Sequence, residues 1–193
     1  MNHIKRRDFL KVIGWGTVFG LCGCVDKKKK TEDIVLRKED TKVMKLRPHH
    51  ILDIISGYGV GVEFKPRPYG HSNHIVAGKI LSDLDTKIQL VVGADAVCQG
   101  CKHLLPNGQC DDVLSQLTPS PSKQAANDVL DCRLLDYLNI KLGAVMTVRE
   151  YLEIVNKKVP GIESICTHFK EDPQERLRSL TQGLIKLGIR RDS

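Results

Sequence analysis

With 193 residues the chain is long enough for one domain with a sizeable core and short for two. Its 41% hydrophobic and 27% charged residues exclude wholesale disorder. The formal charge of +7 is concentrated in residues 1–30, and the remainder, with 22 basic and 21 acidic residues, is too balanced for a nucleic-acid groove.

The chain opens with Arg6-Arg7-Asp8-Phe9-Leu10-Lys11 and an apolar run from Val12 to Gly23. Paired arginines in this setting resemble a twin-arginine export signal. The run holds four glycines in twelve residues, too short to span about 30 Å of hydrocarbon as a helix. It ends in Leu21-Cys22-Gly23-Cys24, which resembles the lipobox of bacterial lipoproteins and implies cleavage before Cys24 with lipid on its sulfur. The alternative is an ordinary signal peptide cut at another small residue. On the lipoprotein reading, residues 1–23 are the signal peptide and 24–42 are a lipidated cysteine and charged tether. Residues 43–193 are then the globular domain, expected on the outer side of the cytoplasmic membrane. Lys27–Lys30 would lie at the headgroups.

Alternation over Val43–Arg47 predicts a short strand, and Pro48 suits the first turn of a helix through His49-His50-Ile51-Leu52-Asp53-Ile54-Ile55. Gly57, Gly59 and Gly61 are expected to break it, with irregular chain to about Tyr69. A helix over about 72–84 follows, with Ile75, Ile80, Leu81 and Leu84 on its apolar side, and Ile88–Val92 is the best strand. Residues 94–122 carry three cysteines and three prolines without periodicity, a loop long enough to need a function or a staple. Helices are predicted over about 122–139, 147–159 and 173–187, the second with Thr147 as N-cap and Glu150 three residues on. The expected fold is α+β: a small, mostly helical single domain with two or three short strands and a cysteine-rich metal-binding loop.

Beyond Cys22 and Cys24, five cysteines remain, an odd number that cannot pair completely. Cys98-Gln99-Gly100-Cys101 brings two thiolates to one side of a tight turn, as a tetrahedral metal or one face of an iron–sulfur cluster requires. Cys110 can fold back as a third; a disulfide or idle thiols are the plainer reading of all three. Cys166 sits among Ile162 and Ile165, where a buried inert thiol competes with a ligand. Cys132 falls in a predicted helix, as packing. His103 and His168 are spare nitrogen donors that keep a mixed Cys/His zinc site open. His49 and His50 are neighbours whose rings should diverge by about 100° around a helix, and Asp53 lies i, i+4 and i, i+3 from them, as an orienting partner or metal ligand. His71 and His74 read as surface histidines. No nucleophile elbow, phosphate loop or dinucleotide fingerprint is present in the sequence.

The pieces Leu46-Arg47-Pro48-His49-His50-Ile51-Leu52, Gly57-Tyr58-Gly59 with Glu63-Phe64, and Val91-Val92-Gly93-Ala94-Asp95-Ala96-Val97-Cys98 share an order and spacing with a known group. With Cys101, Cys110, Leu130-Asp131, Gly143 and Ile165-Cys166, they resemble the domain-of-unknown-function 1284 family, small proteins associated with iron–sulfur binding. The resemblance implies four thiolate ligands, Cys98, Cys101, Cys110 and Cys166, the number a cubane cluster needs. The chain departs from the family pattern at Asp53, where a cysteine is usual, and after Cys166, where a second CxxC is usual. The expected function is an exported, membrane-anchored metal-binding protein with an iron–sulfur cluster, used in electron transfer or redox sensing with an unidentified redox partner. The alternatives are a structural zinc-binding interaction module and a metal-assisted enzyme using His49, His50 and Asp53.

Overall fold

Strand β1 (Met44–Leu46) leads directly into α1 (Pro48–Gly59), with Pro48 in the first turn as its fixed φ favours. The computed structural model describes residues 43–167 and 171–192. Arg6, Arg7, Cys24 and His168 therefore lie outside the described residues. After α1 come α2 (Asn73–Ser82), β2 (Lys87–Leu90), a single 3₁₀ turn at Ala96–Cys98 and α3 (Lys123–Leu138). The chain continues through β3 (Val145–Thr147), α4 (Val148–Asn156), α5 (Glu163–Cys166) and α6 (Pro173–Lys186). Strand β2 is central, parallel to β1 (Met44 opposite Ile88) and antiparallel to β3 (Ile88 opposite Met146). Mixed α/β architecture, six α-helices and one three-stranded sheet in a single domain describe these residues.

One expected helix signal is present as read: Thr147 and Glu150 form a reciprocal capping box at α4. Helix α3 ends at Asn139, which takes the left-handed conformation. Two expectations need correction. Ile75, placed on the apolar side of α2, is exposed, and Val76 and Ala77 are buried beside the expected Ile80. Gly57 and Gly59 do not break α1 but form its last turn.

Close packing explains those glycines. Helix α1 is buried on most of its circumference, with Ile51, Leu52, Ile54 and Ile55 fully enclosed, and its main neighbour is α6. A Cβ on Gly59 would collide with the Ser179 carbonyl oxygen, and one on Gly183 with that of Ile55, so the backbones meet at two glycines. Gly183→Ala should therefore destabilise the domain by about 1–3 kcal/mol, because overpacking outweighs the roughly 1 kcal/mol that alanine gains in a helix. Gly78→Ala, in α2 with open space around it, should instead raise the melting temperature. Thermal unfolding of the two variants checks the opposite signs.

Candidate functional site

Arg47 caps no helix with its side chain; it turns inward at the β1–α1 junction, 3% exposed. Its Nε donates to Asp131 at 2.6 Å, one terminal nitrogen to Asp128 at 2.6 Å and the other to the Gly93 carbonyl at 2.9 Å. Its backbone N–H donates to Asp95 at 2.8 Å. One residue thus ties α1 to α3 and to the turn after β2. Burial works against the Arg47 charge, but the aspartates outweigh it and hold the guanidinium protonated.

The same carboxylates hold the two histidines. His49 Nδ1 lies 2.8 Å from Asp131, which also accepts the His49 backbone N–H, and His50 Nδ1 lies 2.8 Å from Asp95. Burial alone would raise the Asp95 carboxyl, yet the hydrogen bonds from His50 and from the Arg47 N–H bring it down to about 2. Asp53 is not the partner of either imidazole, contrary to the i, i+4 expectation. It pairs with Arg176 of α6 at 2.7 Å. Nor do the two rings diverge: their centroids are 4.3 Å apart, since each is drawn aside by its own long-range carboxylate. His71 is not a surface histidine either. It is half-buried, packs edge-on to His50 at 5.8 Å and beside Tyr69, and burial lowers it to about 4.

The CxxC turn is built from both sides. Asp95 Oδ1 accepts from the Val97 and Cys98 amides, opening the 3₁₀ turn. Gly100 takes φ of +75°, a conformation that favours glycine. The segment before α2 grips this turn: Ser72 N–H donates to Val97, the Ser72 hydroxyl to Gln99, and Lys102 N–H to Tyr69. A side chain on Gly70 would strike the Gly100 carbonyl. Cys110 is held from α3, its N–H donating to Gln124.

Cys98, Cys101, Cys110 and Cys166 all line one cavity of about 510 Å³, together with His49, His50, Asp53 and His103. His103 is paired with Asp111 at 2.9 Å. The five described cysteines are free, and Cys132 is exposed on α3 and outside this lining, not packed as expected. Burial pushes the Cys98 thiol up to about 12, and raises Cys166 against the pull of Arg176, whose Nε points at its sulfur from 3.5 Å. Among the described residues no three His, Cys, Asp or Glu side chains stand grouped to hold a metal ion, so the expected metal-binding loop is not preformed.

Arg47, Asp95, Asp131, His71 and Arg176 were missing from the sequence-based site. Asp131 carries a legible signal: it shares a helix face with Leu134, Leu135 and Leu138, so a carboxylate there must enter the core and demand a cationic or N–H partner. Arg176 carries none, because its carboxylate partner Asp53 lies in a distant segment; Asp95 has a local role in capping the Cys98 turn, but its partners Arg47 and His50 are distant.

Fold and cavity together define a small α/β domain with a pocket rich in cysteine, histidine and aspartate. The family model described as Protein of unknown function (DUF1284) matches residues 70–170, just over half of the chain, and the protein belongs to that family. The His49–His50 helix precedes the matched span. Comparison with curated proteins and with solved structures finds no match.

Proposed function

We propose that the cavity holds a cysteine-ligated metal centre, with an iron–sulfur cluster as the first reading and electron transfer or redox sensing as its use. The observation that carries it is the convergence on one cavity of four cysteines, three within thirteen residues and the fourth fifty-six residues later. The donor set fits: Cys98, Cys101, Cys110 and Cys166 would hold the centre, and a cluster, when bound, supplies one-electron transfer. The thiols must lose their protons on loading, and the 99–122 segment, tied by isolated bridges at Leu104–Cys110 and Val113–Ser122, is free of regular strand or helix that would resist closing. Arg176 beside Cys166 offsets part of the burial that keeps that thiol protonated. His103 on the same wall, its other nitrogen oriented by Asp111, supports a second reading, a mixed Cys/His zinc module with a structural role. Metal analysis with a visible spectrum on anaerobically purified protein separates them: iron with brown colour supports the first, colourless stoichiometric zinc the second, and no metal refutes both.

The proposal places this domain outside the cytoplasmic membrane, exported by the twin-arginine machinery and anchored through lipid on Cys24. That route carries folded proteins, so a centre assembled in the cytoplasm could cross in place. Among the described residues no helix is long and apolar enough to cross a membrane. Replacing both Arg6 and Arg7 with lysine should leave the precursor in the cytoplasm, because the planar guanidinium pair is not mimicked by ammonium groups. Cys24→Ala should abolish lipid labelling and release the protein from membranes. Fractionation and acyl labelling check both; normal export of the double-lysine variant would refute the route.

A further inference from the structure

The histidine wall of the cavity can act without any metal. Asp131 is wholly buried and accepts from Arg47 and from the His49 backbone, and the buried Asp95 accepts from the Arg47, Val97 and Cys98 amides. Carboxylates committed in this way are acceptors, so Nδ1 of His49 and of His50 carries the proton each of them receives. The nitrogen left to each ring is Nε2, a lone pair in the neutral imidazole. No hydrogen bond to either Nε2 is made among the described residues, and both rings line the cavity, so these atoms are open to it rather than sealed in the core. A buried aspartate fixing an imidazole tautomer is how proteins present a basic nitrogen to a ligand.

Three kinds of ligand could meet such nitrogens. A metal ion needs a third donor, and among the described residues no such group is assembled here. An anion would face two lone pairs. A neutral O–H or N–H group fits, donating to Nε2. Elsewhere apolar patches of the cavity come from Val62, Phe64, Leu104 and Leu114, beside polar and charged residues such as Arg67, Tyr69, Lys123 and Gln124, and its volume of about 510 Å³ is within the range of small-molecule sites. We infer that this cavity binds a small neutral hydrogen-bond donor of phenol type, its hydroxyl on Nε2 of His49 or His50 and its apolar body against Val62, Phe64, Leu104 and Leu114. The site goes beyond the metal reading and does not need a centre on the thiols.

The probe is 4-methylphenol, with toluene as the same shape lacking the hydroxyl. The full chain, labelled with ¹⁵N-histidine, is titrated with each in metal-free and in metal-loaded form. Expected are saturable shifts of the Nε2 resonances of His49 and His50 with 4-methylphenol, while their Nδ1 signals stay those of a protonated nitrogen. Toluene should bind about fivefold more weakly, as loss of one ordinary hydrogen bond predicts. At least one of His49→Gln and His50→Gln, whichever imidazole carries the hydroxyl, should weaken 4-methylphenol about fivefold; each also removes a hydrogen bond to a buried carboxylate, so a lower melting temperature is expected as well. Equal affinity for the two probes, undiminished binding in both variants, or no Nε2 shift up to the solubility limit would overturn the inference. If the variants fail to fold, the comparison of the two probes on the wild-type chain decides. Binding to the metal-free chain would uphold this site even where the metal reading fails.

Discussion

Arg47→Met should lower the stability of the domain by about 3–5 kcal/mol, the range for removing one partner of a buried ion pair. The guanidinium is 3% exposed and its side chain donates to Asp131, Asp128 and the Gly93 carbonyl. Methionine fills much of the same volume, so the loss is electrostatic: Asp131, fully buried, keeps only the N–H groups of His49. Arg47→Lys keeps the charge but cannot span three acceptors in different directions, and should fall between wild type and Met. The exposed pair of Arg149 with Asp85 provides the contrast, and Arg149→Ala should stay within about 0.5 kcal/mol. Urea unfolding measures all three. An Arg47→Met loss below about 1 kcal/mol would mean that the aspartates find other partners or are protonated.

Serine at Cys98 or Cys101 should remove most of the bound metal and lower the melting temperature of the metal-loaded protein. The reason is topological: the three loop cysteines and Cys166 on α5 border one cavity, so a shared centre closes the chain between Cys110 and Cys166. Loss of the centre should then loosen α5 as well as the loop, which amide hydrogen exchange can follow residue by residue. Cys132→Ser should change neither metal content nor stability to the same extent, since that thiol is exposed and away from the cavity. Cys166→Ser separates the two readings of the site. A four-thiolate cluster loses its iron, while a three-thiolate site completed by His103 keeps zinc. Full iron content in Cys166→Ser, or a mapped Cys98–Cys110 disulfide, would contradict the four-thiolate assignment.

Local signals were legible wherever the chemistry is local. Pro48 at the start of α1 and the Thr147–Glu150 capping box each produced the element they predict, because capping acts within a few residues; the strand expected over Ile88–Val92 is found as Lys87–Leu90, with Val91 and Val92 outside it. Strand β3 is three residues long and exists by pairing with β2, and α5 is a single turn, so neither has periodicity to read. The glycines of α1 were misread for a related reason. Gly59 resembles a helix breaker until Gly183 is seen to lie against the same helix, a contact between positions more than a hundred residues apart.

The candidate site divides along the same line. Cysteine spacing marked Cys98, Cys101 and Cys110, and all three border the cavity. The histidine pair was visible, but its partners were not: Asp53 is near in sequence, whereas Asp131 and Asp95 are near in space. A carboxylate at i+4 on a helix competes poorly with one that is already buried and held by Arg47, because the buried one has no solvent to replace the imidazole. His71 was dismissed because nothing in its neighbourhood marks it; the fold of residues 69–72 onto the CxxC turn brings it to His50.

The central claim is that the four cysteines share one centre. X-ray absorption at the iron edge of anaerobically purified full-length protein tests it most directly, since the spectrum counts the neighbours of the metal. The account predicts iron with four sulfur neighbours and a further iron shell, both lost in Cys98→Ser. Iron surrounded by nitrogen and oxygen, or protein with no iron and no zinc at the thiols, would contradict it.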